Sequence, residues 1–393
     1  MIYPARVSII GVGTTQHVLH YPDLTWVEVL NHAVKTALKD AGGIDPAAID
    51  MGIVSYHGEI MTEMGNIGPE VSAAVGAAPA GFTQVCAACS GGAVALQHGW
   101  AAVASKMARL VLVCGFEKGG DMFDISNYID AIDLSSDPEY DYAFGFTHID
   151  NLVLIMDRYA TKFNISMDAV GQWVEQCHWY AKRNPKALHY KAPMVRRNTA
   201  KKALLKLIAQ RAEGASAVLL ACEDDSRFAA GIPVYLDGIS YACGTGHLSG
   251  YFNDPTNPYD IAYSHYTKTA AQQAYRMAQI GAGDIDLVQV SDATAVIGMM
   301  QLEALGLCDS GQAGEAVLSG ATAVDGSIPT NTYGGSIGYG HASGASALTA
   351  VIECVDQLCE HAGERQVRKP KIAVAQSSSG ANSGNTVVVL RRD

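Results

Sequence analysis

Residues 85–96 have the sequence Val-Cys-Ala-Ala-Cys-Ser-Gly-Gly-Ala-Val-Ala-Leu, which places a cysteine directly before a glycine-rich turn. The apolar residues after the turn predict the start of a helix. The Cys89 thiol would then lie beside backbone N–H groups and a helix N-terminus, and both stabilise a thiolate. We therefore expect a reactive thiol at Cys89, whereas Cys86 is expected to lie within the preceding strand.

A second glycine-rich turn carries a histidine. Residues 338–346 have the sequence Gly-Tyr-Gly-His-Ala-Ser-Gly-Ala-Ser, with His341 at the fourth position. An imidazole can take the proton of a thiol, and a cysteine and a histidine on fixed turns are the minimum set for acyl transfer through a thiol. The two turns together indicate an acyltransferase that uses Cys89 and His341.

The composition is typical of a large, well-buried and oligomeric enzyme. The chain has 393 residues, of which 49% are hydrophobic and 17% are charged. That length is enough for two or three units of ordinary size. The formal net charge of -12 argues against nonspecific binding to nucleic acid or to an anionic membrane surface.

Cysteine usage and the N-terminal sequence predict a cytoplasmic location. The 9 cysteines, an odd number scattered along the chain, favour reduced thiols over a disulfide framework. The pair Cys86 and Cys89 has no second Cys-x-x-Cys partner, which excludes a zinc site built from two such pairs. Residues 1–6 lack the pattern of a signal peptide, and basic residues interrupt the apolar run 93–116, so no membrane span is expected.

Short apolar strands alternate with helical stretches, which predicts an α/β fold with mixed or parallel sheets. A strand over Val7–Gly13 and a helix over Leu24–Asp40 begin the first half. A strand over Pro233–Ser240 and a helix over Tyr266–Ile280 begin the second half in the same order, which indicates an internal duplication. Further strands are expected at 50–57, 110–115, 215–222, 284–291, 371–376 and 386–391.

The span 118–211 has no counterpart in the second half. It contains aromatic and histidine residues and is helical in part, so it is expected to be an inserted lid or ligand-binding region. The expected organisation is an N-terminal half of residues 1–117 plus 212–230, an inserted loop region of residues 118–211, and a C-terminal half of residues 231–393.

Four segments distributed over the chain carry a family resemblance. They are Cys89-x-x-Gly92-x-x-Ala95-Leu96, the strand end Val290-Ser291-Asp292-Ala293-Thr294, the run Asn331-x-x-Gly334-Gly335 with Gly340-His341-x-x-Gly344-Ala345, and the C-terminal loop from Ser377 to Gly384. With these motifs the chain resembles the thiolase superfamily over essentially its whole length, and within it the branch related to sterol-carrier-type and archaeal thiolases.

The resemblance implies the thiolase fold, in which duplicated βαβαβαββ halves form a five-layer αβαβα arrangement with an inserted loop region. It implies that Cys89 attacks an acyl carbonyl, that His341 takes the thiol proton and helps to hold a thioester oxygen, and that coenzyme A is a co-substrate with no bound cofactor or metal. Backbone N–H groups of Cys89 and of the C-terminal loop would form an oxyanion hole. The loop residues expected there are Ser379, Gly380 and Ala381, and the expected substrate-binding residues are His148, Tyr142 and Gly344.

The chain departs from the family at the second catalytic cysteine. Thiolases generally carry it in the C-terminal loop, where this chain has serines, or in a His-Asp-Cys-Phe run, where it has Ala293. A serine replaces it poorly, because the unperturbed pKa of a hydroxyl lies far from neutrality. The first position of that run is Ser291, which we expect to hold a water in one oxyanion site. The second proton would pass through His341, through His148 or Tyr142, or through the substrate's own carboxylate.

Three interpretations follow from the missing cysteine: a thiolase for an unusual substrate, a ketosynthase-like condensing enzyme, or a noncatalytic acyl-CoA-binding scaffold. Retention of Cys89 and His341 disfavours the scaffold. A decarboxylating ketosynthase would need two histidines around the cysteine, and one lies in a convincing loop. We therefore expect cleavage of a 3-oxoacyl-CoA with coenzyme A.

The resemblance also suggests a substrate class and a partner. The 18 tyrosines and the missing cysteine suit a bulky, carboxylate-bearing substrate such as 2-benzoylsuccinyl-CoA, an intermediate of anaerobic aromatic degradation. Members of this branch often work with a small OB-fold subunit that carries a zinc ribbon, which this chain lacks. A heteromeric complex around a homodimer core is therefore expected.

Overall fold

The predicted alternation of strands and helices is present in the computed structural model. It describes residues 5–121, 135–200, 208–223, 225, 234–246, 248 and 260–393. The strands are β1 (Val7–Thr14), β2 (Met51–Ser55), β3 (Gly81–Val85), β4 (Leu110–Glu117), β5 (Gly214–Cys222), β6 (Val234–Cys243), β7 (Leu287–Gln289), β8 (Ile372–Ser379) and β9 (Gly384–Arg391). The helices are α1 (Trp26–Asp40), α2 (Gly68–Ala74), α3 (Gly91–Ala104), α4 (His148–Phe163), α5 (Met167–Ala181), α6 (Arg197–Ala200), α7 (His265–Ala278), α8 (Ala295–Ala304), α9 (Ala313–Leu318), α10 (Gly335–Tyr339) and α11 (Ser343–Leu358).

The strands of the described residues form one mixed sheet in the order β3-β2-β4-β5-β1-β6-β9-β8-β7. Strands β3, β2 and β4 run parallel to one another, and β1 is antiparallel to both of its neighbours. The first half contributes one end of the sheet and the second half the other. Their junction is the pairing of Ser8 with Tyr235 and of Ile9 with Val234.

Five layers of structure follow from the alternation of side chains along the strands. On β4, Val111 and Val113 point to a core shared with α3 and α11, while Leu110 and Leu112 point to a core shared with α1. Strands β8 and β9 share the central core on one face and a third core with α7 and α8 on the other. Helices α3 and α11 therefore lie between the two halves of the sheet, which confirms the αβαβα arrangement of the thiolase fold.

The second half repeats the organisation of the first half, but its strand β7 is short. Strand β7 spans three residues, because side-chain oxygens replace the ladder at its end: Asn331 Oδ1 accepts from the Val290 N–H at 2.7 Å, and Gln376 Oε1 accepts from the Ser291 N–H at 3.0 Å. Where β3 pairs with β2 in the first half, a lone bridge joins Val288 to Thr330. The strand predicted over 284–291 is thus observed over its central part alone.

Helices α4 and α5 lie in the segment between β4 and β5. They pack on elements of the second half, α4 against α8 and α5 against α9 and α10. The first and last residues of this segment lie close together. There the buried Lys118 Nζ is 3.4 Å from a carboxylate oxygen of the buried Glu213. The segment is thereby anchored at its base in the first half and covers the second.

No helix within the described residues has the length and apolar character needed to cross a bilayer.

Candidate active site

The turn that carries Cys89 is shaped by close packing at the start of α3. After β3 ends at Val85, a single 3-10 turn over Ala88–Ser90 leads into the helix. A Cβ at Gly91 would lie 2.4 Å from Oγ of Ser55, and one at Gly92 would lie 2.9 Å from the Leu348 side chain. Glycine at both positions therefore allows the helix start to press against β2 and α11, which holds Cys89 at the boundary between the two halves.

The His341 turn is fixed by its backbone. The His341 N–H donates to the carbonyl of Gln210 at 2.8 Å, and the His341 carbonyl accepts from the Ala212 N–H at 3.0 Å. Gly340 precedes it with φ of 94°, a conformation that favours glycine. These bonds fix the backbone of the turn from which the imidazole extends.

The two predicted catalytic residues meet. Nε2 of His341 lies 3.0 Å from Sγ of Cys89, although the residues are 252 positions apart in the chain. Burial raises the pKa of the Cys89 thiol, but the charge and hydrogen bond of His341 outweigh burial and lower that pKa to about 7. Burial lowers the pKa of His341, and the neighbouring Cys89 thiolate more than offsets this and raises it. The geometry thus favours a thiolate–imidazolium pair.

Cys86 has the opposite environment. Strand β3 ends one residue before it, so it lies just beyond the strand rather than within it. Its Sγ donates to the carbonyl of His57 at 3.0 Å. Partial burial, and then the negative charge of Glu59, raise the pKa of the Cys86 thiol. Of the two cysteines in this turn, Cys89 therefore has the environment of a nucleophile.

Two residues that were not predicted from the sequence lie beside the thiol, one in contact with it and the other in contact with the first. Ser343 Oγ donates to Cys89 Sγ at 3.5 Å, and Nδ1 of His57 lies 3.0 Å from Ser343 Oγ. His57 is buried at the end of β2, and Ser343 begins α11. The signal available in the sequence was the place of His57 directly after a parallel strand, because the carboxyl ends of neighbouring parallel strands meet at one edge of a sheet.

A narrow cleft opens beside the Cys89 thiol, with a volume of about 20 Å³. That space holds one water molecule. The cleft brings together several residues predicted from the sequence with others that were not. Its walls are formed by Cys89, His148, Leu152, Ser291, Ala293, Ile297, His341, Ser378, Ser379, Gly380 and Asn382.

Three of the predicted residues lie away from the walls of this cleft. Tyr142 is 48% exposed in a short turn of the inserted segment. Gly344 packs beneath the site, since a Cβ there would lie 2.4 Å from the carbonyl oxygen of Phe116. Ala381 is buried in the loop between β8 and β9. Their roles in binding substrate or an oxyanion stay predictions.

The histidine of the inserted segment that does line the cleft is neutral. His148 is the first residue of α4, whose capping box is formed by Thr147 and Asp150. Burial, and then the charges of His57 and His341, lower the pKa of His148 to about 4. At neutral pH it can therefore accept or donate a hydrogen bond without carrying charge.

Asp292, the second residue of the Ser-Asp-Ala-Thr run, is a buried structural anchor. Its carboxylate accepts from Nε1 of Trp173 at 3.1 Å and from the Ser336 N–H at 2.5 Å. Burial raises its pKa to about 6, against the opposing effect of these bonds. Asp292 therefore ties the inserted segment to α10, which leads into the His341 turn.

Within the residues that the structure describes, no group of three His, Cys, Asp or Glu side chains is arranged to hold a metal ion.

Comparison with known proteins identifies the family. Residues 7–215 match the family model described as thiolase, N-terminal domain, and residues 255–392 match the model described as thiolase C-terminal domain-like. The chain is 30% identical over 393 residues to the acetyl-CoA acetyltransferase of Methanothermobacter thermautotrophicus, which covers 98% of this chain and 99% of that protein. The chain belongs to the thiolase superfamily. This thiolase is accordingly an acyltransferase.

Three other similarities are partial in sequence or concern the fold alone. This thiolase is 28% identical over 172 residues to the benzoylsuccinyl-CoA thiolase subunit BbsB of Thauera aromatica, which covers 43% of this chain and 42% of that one. Its fold matches that of the Ltp2-ChsH2(DUF35) aldolase with a TM-score of 0.83 at 18% identity, over 100% of this chain and 99% of that chain. It matches human mitochondrial 3-ketoacyl-CoA thiolase in complex with CoA with a TM-score of 0.72 at 18% identity, over 99% and 98% of the two chains.

Proposed function

We propose that this thiolase cleaves a 3-oxoacyl-CoA with coenzyme A through an acyl-enzyme on Cys89. The observation that carries the proposal is the 3.0 Å contact between His341 Nε2 and Cys89 Sγ. The pKa of the thiol, lowered to about 7, makes a large fraction of it thiolate at neutral pH. A thiolate is the nucleophile in thiol-based acyl transfer.

The first half-reaction forms the acyl-enzyme. Cys89 Sγ attacks the C3 carbonyl carbon, the bond between C2 and C3 breaks, and its electron pair moves to C2 of the departing thioester. His341, which holds the proton of the thiol, gives it to C2, and the coenzyme A thioester that contains C1 and C2 leaves while the rest of the acyl chain stays on Cys89. Atoms and charge balance because the proton lost by sulfur is the proton gained by carbon.

The second half-reaction uses the same histidine. His341, now neutral, takes the proton from the thiol of coenzyme A, and the resulting thiolate attacks the acyl group on Cys89. The thioester bond to the enzyme breaks, and the Cys89 thiolate is restored beside the protonated imidazole. A single base that alternates between the two steps accounts for the missing second cysteine.

His341 is supported as the carrier of both protons because the other candidate side chains are less suited to that role. The pKa of His148, lowered to about 4, makes it a weak base. Tyr142 is half exposed and does not line the cleft. His148 is then assigned to hydrogen bonding with the substrate.

The oxygen that becomes negative in each half-reaction needs donors. We assign the backbone N–H of Cys89 and an N–H of the loop Ser379–Ala381 to one oxyanion hole. Ser291 lines the same cleft, and the volume beside it fits one water molecule. That water, held by Ser291 and His341, is assigned to the second oxyanion site.

A bulky, carboxylate-bearing acyl-CoA is the proposed substrate class, with 2-benzoylsuccinyl-CoA as the specific candidate. The partial similarity to subunit BbsB supports it. Similarity of fold to a chain from the Ltp2-ChsH2(DUF35) aldolase, a two-component complex, is consistent with the small OB-fold and zinc-ribbon partner subunit proposed for this chain. A homodimer core is part of the same proposal.

Intact-protein mass spectrometry after brief incubation with acetyl-, succinyl- and benzoyl-CoA tests the proposal. Wild-type protein is expected to gain the mass of one acyl group, and Cys89→Ser is expected to gain none. The mass gained identifies the substrate class. Cys86→Ser is the matched control and is expected to acylate like wild type.

The absence of an adduct from every thioester, with Cys89 alkylated slowly at pH 7 in a protein shown to be folded, would contradict the proposal and favour a noncatalytic acyl-CoA-binding scaffold. Adding the coenzyme A thioesters to the alkylation reaction separates binding from catalysis, because a bound thioester shields Cys89 even where no acyl transfer takes place.

A further inference from the structure

The Cys89 sulfur has a second hydrogen-bond partner besides His341. Ser343 Oγ lies 3.5 Å from Cys89 Sγ, within reach of a sulfur acceptor. A hydroxyl has one hydrogen, and if that hydrogen points to sulfur then the oxygen must accept from its other neighbour. That neighbour is Nδ1 of His57, at 3.0 Å.

We propose that His57, Ser343 and Cys89 form a donor chain in which His57 Nδ1–H donates to Ser343 Oγ and Ser343 Oγ–H donates to the Cys89 thiolate. The proposal rests on the proposed function in taking Cys89 as the nucleophile. Ser343 contacts the reacting sulfur, whereas His57 acts through Ser343 and is a positioning residue. Hydrogen bonds in series polarise one another, so His57 strengthens the bond that Ser343 makes to sulfur.

The chain joins elements from both halves of the fold. His57 lies at the end of β2 with 8% of its surface exposed, and Ser343 is the first residue of α11 with 5% exposed. Donor and acceptor are thus held in a site with little water. A charge-assisted hydrogen bond gains strength in such a site, because solvent does not compete for the donor.

Other titratable groups surround the chain and bear on its pH dependence. His341 faces Cys89 from the turn before α11, and its charge and hydrogen bond lower the pKa of that thiol. His148 of α4 is close enough to His57 for the charge of one to affect the other. Cys86 donates to the His57 carbonyl, and Glu59 lies near Cys86. The test must therefore separate the route through Ser343 from a direct effect of the charge on His57.

Alkylation of Cys89 by iodoacetamide, followed by peptide mass spectrometry as a function of pH, provides that separation without turnover. Ser343→Ala is expected to raise the midpoint of the alkylation profile by about one pH unit, the size expected for one hydrogen bond to a charged group. His57→Leu removes the N–H and is expected to raise the midpoint by about 0.3 unit, because a hydrogen bond in series strengthens its neighbour by about 10–30%. His57→Asn keeps an N–H close to Nδ1 and is expected to restore most of the wild-type profile.

The double variant Ser343→Ala, His57→Leu decides the route. It is expected to match Ser343→Ala alone, because the donor chain routes the effect of His57 through the hydroxyl. A direct effect of charge on His57, which also acts on the Cys89 thiol, would instead add to the shift of Ser343→Ala. Equal shifts from His57→Leu with and without Ser343, or no shift from His57→Leu at all, would overturn the proposal. Comparison of the Leu and Asn variants of His57 keeps the test decisive if Ser343→Ala does not fold.

Ser346→Ala is the matched control. This serine lies one turn further along α11, and its hydroxyl accepts from the Ala342 N–H at 2.9 Å. It makes no bond to Cys89 among the hydrogen bonds of the described residues, so its removal is expected to leave the alkylation midpoint unchanged. A shift of the same size in Ser346→Ala would assign the effect to packing of α11 and would also overturn the proposal. If no acylation is seen but the Ser343 and His57 variants still shift the alkylation midpoint, the result counts against the proposed function and leaves the donor chain supported.

Discussion

Among single residues, His341 has the largest expected influence on the Cys89 thiol. Burial by itself raises the pKa of that thiol, so His341→Ala should move its pKa from about 7 to at least its ordinary value near 9. About half of the thiol is thiolate at pH 7 when its pKa is about 7, and about 1% when its pKa is near 9, so the alkylation rate at pH 7 should fall by about 50-fold. The rate above pH 10 should be nearly unchanged.

The pH profile of iodoacetamide alkylation measures this effect. Cys86 in the same protein is an internal reference, since its pKa is raised and it should react slowly at pH 7 in both proteins. A midpoint near 7 that persists in His341→Ala would show that the helix N-terminus or Ser343, rather than the imidazole, sets the thiol pKa.

Ser291 provides a second test at this scale. If it holds a water in an oxyanion site, Ser291→Ala should lower kcat by about 100-fold with a small change in KM, because an oxyanion donor acts in the transition state. Steady-state kinetics with the substrate identified by acylation measures both constants. The matched variant is Ser378→Ala, which removes a hydroxyl from the same cleft. Retained activity in Ser291→Ala would count against the assignment.

The residues that could be predicted from the sequence are those whose local context is unusual. Cys89 and His341 each lie in a glycine-rich turn, and the structure brings their side chains together. His57 and Ser343 could not be predicted in this way, because they are ordinary residues at a strand end and a helix start. Their contact joins positions 286 residues apart, which only the packing of the two halves creates.

Between elements, one close approach is where α11 meets the ends of β2 and β4. A Cβ at Gly344 would lie 2.4 Å from the Phe116 carbonyl oxygen and 2.7 Å from Cα of Tyr56, and these backbone atoms cannot move aside cheaply. Gly344→Ala should therefore push α11 and the His341 turn away from Cys89. The expected cost is about 1–3 kcal/mol of stability, together with loss of acylation.

Urea unfolding and the acylation assay measure these two effects. Gly283→Ala is the matched control, since a Cβ at Gly283 meets nothing within 4 Å, and it should leave both stability and acylation nearly unchanged. Wild-type acylation in Gly344→Ala would show that the contact between the two halves tolerates displacement.

The elements themselves were largely predictable. The strand predicted over Val7–Gly13 is confirmed as Val7–Thr14, and the helix predicted over Leu24–Asp40 is confirmed as Trp26–Asp40, where the capping box of Thr25 and Glu28 sets its start. Apolar periodicity and capping residues are local, so the sequence shows them. The shortening of β7 was not predictable, because the groups that end it, Asn331 and Gln376, come from distant segments.

At the scale of the whole molecule, the two halves are linked by structure at several levels. The sheet is continuous through β1 and β6, and α11 of the second half packs against α3 and β4 of the first. At the edge of the junction, Arg6 lies 3.2 Å from Asp237 and 2.7 Å from Asp393, which joins the start, the middle and the end of the chain. The duplication is visible in the sequence, whereas this mutual burial is a property of the assembled fold.

We therefore expect the two halves to unfold together, and a buried ion pair in the second half allows a test. Arg365 Nη1 lies 2.6 Å from a carboxylate oxygen of Glu353 on α11, and both side chains are buried. Arg365→Met leaves that carboxylate without its charged partner, which should cost about 3–5 kcal/mol. Calorimetry of wild type and variant should each give one transition, with that of the variant several degrees lower, because α11 belongs to the core of both halves. Two resolved transitions, with the upper one unmoved by the substitution, would show that the first half folds on its own.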